Sequence, residues 1–355
     1  KTVQVLAHLC CEKARGKLKQ PALVVAPTSL VGNWRDETAR FAPDLKVLVL
    51  HGAGRAARYE EIRRHDMVIT TYPLLPRDRD DLRAQQFSLL IMDEAQAIKN
   101  ARSQAAQVVR EIPAKRRLAM TGTPLENHLG ELWAQFDAVE PGLLGSEKAF
   151  GRAYRTPIEK HGDAERQQRL NKRVGPLLLR RRKEDVLTEL PPKTEIVHPL
   201  ELSGSQRQLY ESLRLSQHER VRESIAARGL AQSGIVVLDA LLKLRQACCD
   251  PRLVKLDSAR KVEESAKLDA LLELLDGLMD EGRKVLVFSQ FTTMLELIAQ
   301  ALNERKHSFL QLTGDTPAGQ RTELVREFQT GSLPVFLLSL KAGGAAQNLT
   351  AADTV

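Results

Sequence analysis

Asp93 and Glu94 stand together at the end of the apolar run Leu89-Leu90-Ile91-Met92, with Gln96 two positions beyond. A short apolar run bounded by polar residues suits a strand buried on both faces. Open α/β sheets bind their ligands beyond the carboxyl ends of such strands. Two carboxylates there are costly to bury unless they serve a cation. In phosphoryl-transfer sites one acid holds Mg²⁺ while another polar group positions the attacking water. The same acids could instead cap the following helix, whose first turn favours Asp and Glu. Residues 88–96 alone leave both readings open.

The amino terminus supplies a complement. Lys1-Thr2 leads directly into a helical apolar pattern. A phosphate-binding loop ends in Gly-Lys-Ser/Thr, with the lysine on the β/γ-phosphates and the hydroxyl on Mg²⁺. A Lys-Thr pair is ordinarily just surface. Here its place before a helix, well ahead of Asp93, favours the phosphate reading. With no initiator methionine, the sequence reads as starting inside the motif, without the preceding glycines and their strand.

Positioning these groups requires a sheet. Candidate strands are Ala22–Ala26, Val47–Leu50, Met67–Thr71, Leu89–Met92 and Leu118–Met120, alternating with helical segments. Such alternation predicts a parallel sheet with helices on both faces. From about Glu131 to Gln206 the texture changes to charged helical stretches, the basic run Arg180-Arg181-Arg182-Lys183 and the breaker Pro191-Pro192. Alternation then resumes. Leu268, Leu271, Leu272, Leu275 and Leu278 fall at helical spacing, Gly282 ends that helix, and strands follow at 284–289, 309–312 and 335–339. The architecture expected is α/β: a first lobe over 1–185 with a helical insertion, a connector over 186–200, and a second lobe over 201–355.

A chain of 355 residues accommodates two domains, and 43% hydrophobic with 28% charged residues describes a folded globular protein. The net charge of +8 is compatible with a polyanionic partner without establishing one. The four cysteines form the adjacent pairs Cys10-Cys11 and Cys248-Cys249, which lack zinc-site spacing and read as small buried residues in a reducing compartment. No apolar stretch reaches eighteen residues and no signal peptide is evident, so no membrane partner is expected. The expected location is the bacterial cytoplasm, associated with the nucleoid, or otherwise a nucleus.

Further segments carry a resemblance. Ala26-Pro27-Thr28-Ser29-Leu30-Val31-Gly32-Asn33-Trp34, Val68-Ile69-Thr70-Thr71-Tyr72, Asp93-Glu94-Ala95-Gln96 and Met120-Thr121-Gly122-Thr123-Pro124-Leu125-Glu126-Asn127 resemble, in order and spacing, the first-lobe motifs of superfamily-two helicases. Leu242 to Pro251, Ser265-Ala266-Lys267-Leu268, Val287 to Phe291, Leu312 to Thr316 and Leu338 to Gly344 resemble those of the second lobe. In detail the pattern looks like the Swi/Snf family of DNA-dependent ATPases, over nearly the whole chain.

The resemblance implies two RecA-like lobes that use ATP and Mg²⁺ to translocate along double-stranded DNA without separating the strands. It places Lys1 on the phosphates, Thr2 and Asp93 on Mg²⁺, and Glu94 on the attacking water. Gln96 can donate and accept at once, so it can link the γ-phosphate region to Thr121 or Thr123. The segment holding those threonines could also be an ordinary turn. Gly343 and Gly344 complete the implied nucleotide site. Thr28, Thr71, Ser289, Gln290 and Thr313 fall on strand-end loops, where hydroxyls and amides suit DNA phosphates; each could equally be satisfied by its own loop. The run Arg180 to Lys183 could steer DNA or be a solvated connector.

Three departures qualify the expected activity. The phosphate-loop glycines do not precede Lys1. Ala346 and Gln347 stand where the family usually has a glycine and an apolar residue. The sequence stops at Val355, ahead of the motif carrying the arginine finger. The 355-residue chain taken alone is therefore expected to be inactive, and the full-length protein active. The expected function is remodelling of protein–DNA complexes, with a DNA-bound protein or a polymerase as target. The rivals are a strand-separating helicase or restriction-type motor, and a non-catalytic DNA-binding scaffold.

Overall fold

The computed structural model describes residues 1–122, 125, 127–181, 194–230, 232–260, 262–343 and 349–355. Thr123, Arg182, Lys183, Pro191, Pro192, Gly344, Ala346 and Gln347 lie outside these, as does most of the expected connector. The chain divides into two compact units, Lys1–Pro191 and Pro192–Val355.

The first unit is built on five parallel strands: β1 (Ala22–Ala26), β2 (Val47–Val49), β3 (Met67–Thr71), β4 (Phe87–Met92) and β5 (Ala114–Ala119), in the order β2-β3-β1-β4-β5. Successive side chains of a strand point to opposite faces, and the core divides accordingly. Leu23, Val25, Val68, Leu90 and Met92 pack on one face with Val108, Val109 and Ile112. Ala22, Val24, Ala26, Met67, Ile69, Leu89 and Ile91 pack on the other with Val5, Leu6 and Leu9 of helix α1 (Thr2–Ala14) and with Trp34 of helix α2 (Val31–Phe41). Both faces are covered, so β1, β3 and β4 are buried along their whole length. That is why these strands read as unbroken apolar runs.

β5 departs from the expected Leu118–Met120. It begins at Ala114 and takes in Lys115, Arg116 and Arg117. As an edge strand it tolerates charge. Arg116 pairs with Glu12 of α1, and that hydrogen bond holds the Glu12 carboxyl below its usual range. Lys13 of the same helix donates to Asp66 at 2.8 Å and to the Asp44 carbonyl at 2.7 Å. Helix α1 is thus tied at its carboxyl end to β5 and to the approach to β3.

After α3 (Arg79–Arg83) and α4 (Gln104–Glu111), and beyond β5, helix α5 (Leu129–Val139) opens the predicted helical insertion, with α6 (Glu147–Phe150), α7 (Thr156–His161) and α8 (Ala164–Val174) following. Leu132, Trp133, Phe136, Phe150, Leu170 and Val174 give it a core of its own. Arg180 and Arg181, the described part of the basic run, are exposed.

The second unit carries the parallel strands β6 (Val285–Ser289), β7 (Phe309–Leu312) and β8 (Val335–Ser339), in the order β6-β8-β7. Leu268, Leu272 and Leu275 of the helix Ala266–Asp280 pack on Val285, Val287 and Leu337, as their spacing predicts. Gly282 follows with φ +73°, a left-handed turn that suits glycine. The cysteine expectation needs correction: Cys11 is exposed and the other three are half-buried. Cys10 and Cys11 neighbour each other on a helix, so they cannot both face the sheet.

Asp250 is fully buried where the helix Gly234–Cys249 ends. Its carboxylate accepts from the Arg252 backbone N–H at 2.9 Å and from the Arg252 guanidinium at 2.9 and 2.8 Å. Burial pushes its pKa up, the Arg252 bonds pull it down, and the net is below the usual Asp value. A carboxyl with a depressed folded pKa adds stability that is present above its unfolded pKa and lost as pH falls through the folded one. Asp250→Ala is expected to cost the second unit about 3 kcal/mol at pH 7. The gap to wild type should begin to narrow as pH falls below about 4, the unfolded value, and close as pH passes the depressed folded pKa. Denaturant unfolding at pH 7 and pH 3 checks this; an equal gap at both would remove the charged pair as its cause.

Candidate active site

β4 delivers Asp93 and Glu94 to the carboxyl edge of the first sheet. Asp93 is 7% exposed, and each of its carboxylate oxygens accepts one hydrogen bond. One carboxylate oxygen accepts from Trp34 Nε1 at 2.8 Å, and the other from the Glu94 backbone N–H at 3.0 Å. The Asp93 N–H donates to the Val25 carbonyl at 2.8 Å, and its own carbonyl accepts from the Tyr72 hydroxyl at 2.7 Å. Burial pushes the Asp93 pKa up. The Trp34 bond opposes this, the Glu94 charge adds to it, and the nearby Lys1 charge pulls it back. Lys1 therefore lies within electrostatic reach of Asp93.

Glu94 adopts φ 49° and ψ 54°, the left-handed region, at one of the two described non-glycine residues with positive φ. Such a backbone costs on the order of 1–3 kcal/mol and persists only where its surroundings fix it. Here the Ala95 N–H donates to the Met120 carbonyl at 2.9 Å, stitching the turn to the end of β5. The result aims the Glu94 carboxylate at Gln96, whose Nε2 donates to it at 2.6 Å. Gln96 Oε1 in turn accepts from the Thr121 hydroxyl at 2.8 Å. The amide thus uses donor and acceptor together and joins two strand ends into one polar chain, Glu94–Gln96–Thr121.

Helix α1 opens at Thr2, with Lys1 as its N-cap. Its first turn carries no acid and receives no side-chain cap. The N–H groups of that turn and the positive end of the helix dipole suit a phosphate, with Lys1 beside them. The oxygen donors fit Mg²⁺. The described residues hold no cluster of three or more acid, His or Cys side chains, and Mg²⁺ is held by one or two carboxylates together with substrate phosphates and water. A cation at Asp93 would also offset the cost of keeping that buried carboxylate ionised.

The other expected residues fall in different settings. Thr28 is exposed in the turn after β1. Thr71 is only 1% exposed at the end of β3, so its hydroxyl does not face solvent within this unit. Gln290 is exposed and Thr313 half-buried. The Ser289 hydroxyl is occupied by its own loop: it donates to the Phe291 carbonyl and accepts from the Phe291 N–H, both at 3.1 Å. A Cβ on Gly343 would stand 2.5 Å from Phe288 Cε1, so glycine there permits close packing on β6. Thr123 and Gly344 are outside the described residues.

Trp34 and Tyr72 are the functional neighbours that sequence reasoning left without a role. The available signal was chemical: a buried Trp N–H or Tyr O–H needs a partner. Trp34→Phe keeps an aromatic ring but removes the indole N–H that bonds Asp93, along with part of a fully buried ring. It is expected to destabilise the first unit by about 2 kcal/mol or more, the scale of a bond to a charged group plus the lost packing. Urea unfolding at pH 7 reads this out, and an unchanged midpoint would show that the bond carries no stability.

A parallel sheet with paired acids at its carboxyl edge, within reach of a Lys-Thr-headed helix, defines a RecA-like nucleotide-binding lobe. Residues 1–253 match the SNF2-related domain and residues 266–355 the helicase conserved C-terminal domain. The chain belongs to the SNF2 family, and its two units are RecA-like lobes. It is 36% identical over its whole length to the putative ATP-dependent helicase/translocase YwqA of Bacillus subtilis, covering 39% of that protein. It is 33% identical, again over its whole length, to the human SWI/SNF-related matrix-associated actin-dependent regulator of chromatin subfamily A member 1, covering 35% of it. The chain thus spans well under half of these relatives. Among solved structures, the SWI2/SNF2 ATPase core of Sulfolobus solfataricus in complex with double-stranded DNA is 31% identical, with a TM-score of 0.52 over 96% of this chain and 71% of that one.

Proposed function

We propose that this chain is the motor core of a DNA-dependent ATPase that translocates on double-stranded DNA and remodels protein–DNA complexes. The observation that carries the reading is the chain Glu94–Gln96–Thr121 beside the buried Asp93. When bound, Mg²⁺-ATP supplies the transferable phosphoryl group and the cation that Asp93 and Thr2 would hold. Lys1 and the first turn of α1 bind phosphate charge. Glu94 orients the attacking water and takes its proton. Gln96 couples the position of Glu94 to Thr121 on the neighbouring strand end, which suits a reporter of nucleotide state.

The double-stranded DNA partner draws support from the solved Sulfolobus core, which binds that ligand, and from the net charge of +8. Thr28, Gln290 and Thr313 offer accessible polar groups to phosphates. Thr71 and Ser289 would need their present settings rearranged before their hydroxyls could do so. The remodelled target would be a DNA-bound protein or a polymerase.

ATP hydrolysis by the full-length protein should rise on adding duplex DNA, without displacement of a strand from a forked duplex. Strand displacement would instead favour the helicase rival, and an absence of hydrolysis with or without DNA the scaffold. Duplex affinity should vary little with sequence and fall steeply with salt. About four phosphate contacts correspond to about a hundredfold loss between 50 and 200 mM salt. A flat salt response in a binding titration would remove phosphate contacts as the basis of affinity.

A further inference from the structure

At the amino edge of the first sheet, opposite the acids, lies a cavity of about 280 Å³. Pro21, Lys46 and Asp66, which immediately precede β1, β2 and β3, form part of its wall. A five-residue strand spans about 17 Å, so β1 separates this cavity from the carboxyl edge where Asp93 sits. The lining carries five cationic side chains, Lys13, Lys19, Lys46, Arg63 and Arg64, against one carboxylate, Asp66. His65 adds a further ring, whose Nδ1 lies 2.8 Å from the Glu61 carbonyl.

The floor is fixed. Asp66 accepts from Lys13 Nζ at 2.8 Å and from the Lys46 N–H at 2.8 Å. Its backbone is bonded both ways, from its N–H to the Lys46 carbonyl at 2.9 Å and from the Ala22 N–H to its carbonyl at 2.8 Å. One oxygen of Asp66 is thereby engaged by both Lys13 and the Lys46 N–H. The side chains of Lys19, Lys46, Arg63 and Arg64 are exposed at the rim. None of the four forms a side-chain hydrogen bond or ion pair with the described residues, so cationic groups outnumber the carboxylates around the concavity, with Asp66 in its lining and Glu61 within electrostatic reach of Arg64.

We propose that this cavity is a binding site for a phosphate oxyanion, separate from the nucleotide site. A carboxylate brings a single negative charge, whereas a terminal phosphate brings about −1.5 to −2 with three acceptor oxygens, and a nucleic-acid backbone brings a closely spaced row of singly charged phosphodiesters. The guanidinium forks of Arg63 and Arg64, both in the cavity lining, can each meet a pair of phosphate oxygens, and lysines add point charges around them. The group could come from a free oligophosphate or from the backbone of a nucleic acid. The proposal stands whether or not the motor reading does, since it uses no residue of that site.

The test is calorimetric titration of pyrophosphate into the full-length protein carrying Lys1→Ala, which weakens the nucleotide site. Binding should persist there and fall about tenfold or more when Arg63→Glu and Arg64→Glu are added, on the scale of lost charge-assisted bonds. If the reversed pair alters thermal unfolding, Arg63→Gln with Arg64→Gln supplies the same comparison. Displacement of pyrophosphate by duplex DNA would support the proposal and identify a nucleic-acid backbone as the source. Lack of displacement, with pyrophosphate still dependent on the two arginines, would support it and identify a free oligophosphate. Equal pyrophosphate affinity with and without the arginines would overturn it. So would a polyglutamate peptide that binds the same arginines more tightly than pyrophosphate, since that would make the site one for acidic protein segments.

Discussion

Replacing Glu94 with Gln in the full-length protein should lower ATP turnover by about 10²- to 10⁴-fold, the usual contribution of a positioned general base, and leave nucleotide affinity nearly unchanged. The substitution is close to isosteric. Its backbone strain at φ 49° is set by the stitch from the Ala95 N–H to the Met120 carbonyl, which involves no Glu94 side-chain atom. What changes is chemistry: an amide cannot take up the proton that an attacking water must lose. Lys1 and the first turn of α1, which would meet the phosphates, are untouched. Steady-state hydrolysis with saturating duplex DNA, read beside binding of a fluorescent nucleotide, separates the effects. Lost binding would place Glu94 among the phosphate or cation contacts, and unchanged turnover would move the base elsewhere.

The acids were legible because β4 announces itself. Leu89, Leu90, Ile91 and Met92 are apolar in sequence since they alternate between two covered faces, and a buried strand ending in carboxylates is a distinctive pattern. The link from Gln96 to Thr121 was legible only as a capacity of the amide; the choice of partner depends on β4 and β5 being neighbours. Trp34 was harder. It lies far from Asp93 in sequence, and their contact exists because α2 packs on the sheet face that Val24, Ile69 and Ile91 share with Trp34. Thr71 shows the converse case. A hydroxyl at a strand end looks available, yet β3 sits inside the sheet between β2 and β1, and both faces at its end are closed. Ser289 was open between two readings, and the structure places its hydroxyl on its own loop.

β5 was misplaced for a physical reason that also identifies a keystone. Lys115, Arg116 and Arg117 look like a loop because cations are rare in buried strands. At an edge they are permitted, and Arg117 turns the permission to use. Its guanidinium donates to the Val109 and Ala138 carbonyls at 3.3 and 3.0 Å, and to the Arg110 and Ile112 carbonyls at 3.0 and 2.9 Å. Val109, Arg110 and Ile112 end helix α4 (Gln104–Glu111), and Ala138 ends α5, so one side chain caps both helices against their carboxyl-end dipoles. Burial pulls its pKa down, and Asp137 and Glu140 push it back up. Arg117→Met keeps most of the stem and strands four carbonyls. The expected loss of first-unit stability is about 2–3 kcal/mol, the scale of leaving part-buried acceptors unsatisfied. Arg117→Lys restores the charge without the planar fork and should recover only part of it. Urea unfolding of the full-length protein, followed by a probe in the first unit, distinguishes these. A loss below about 1 kcal/mol in the Met variant would mean that water replaces the guanidinium at little cost. Full recovery by Lys would mean that charge alone, and not the fork, holds the two helix ends together.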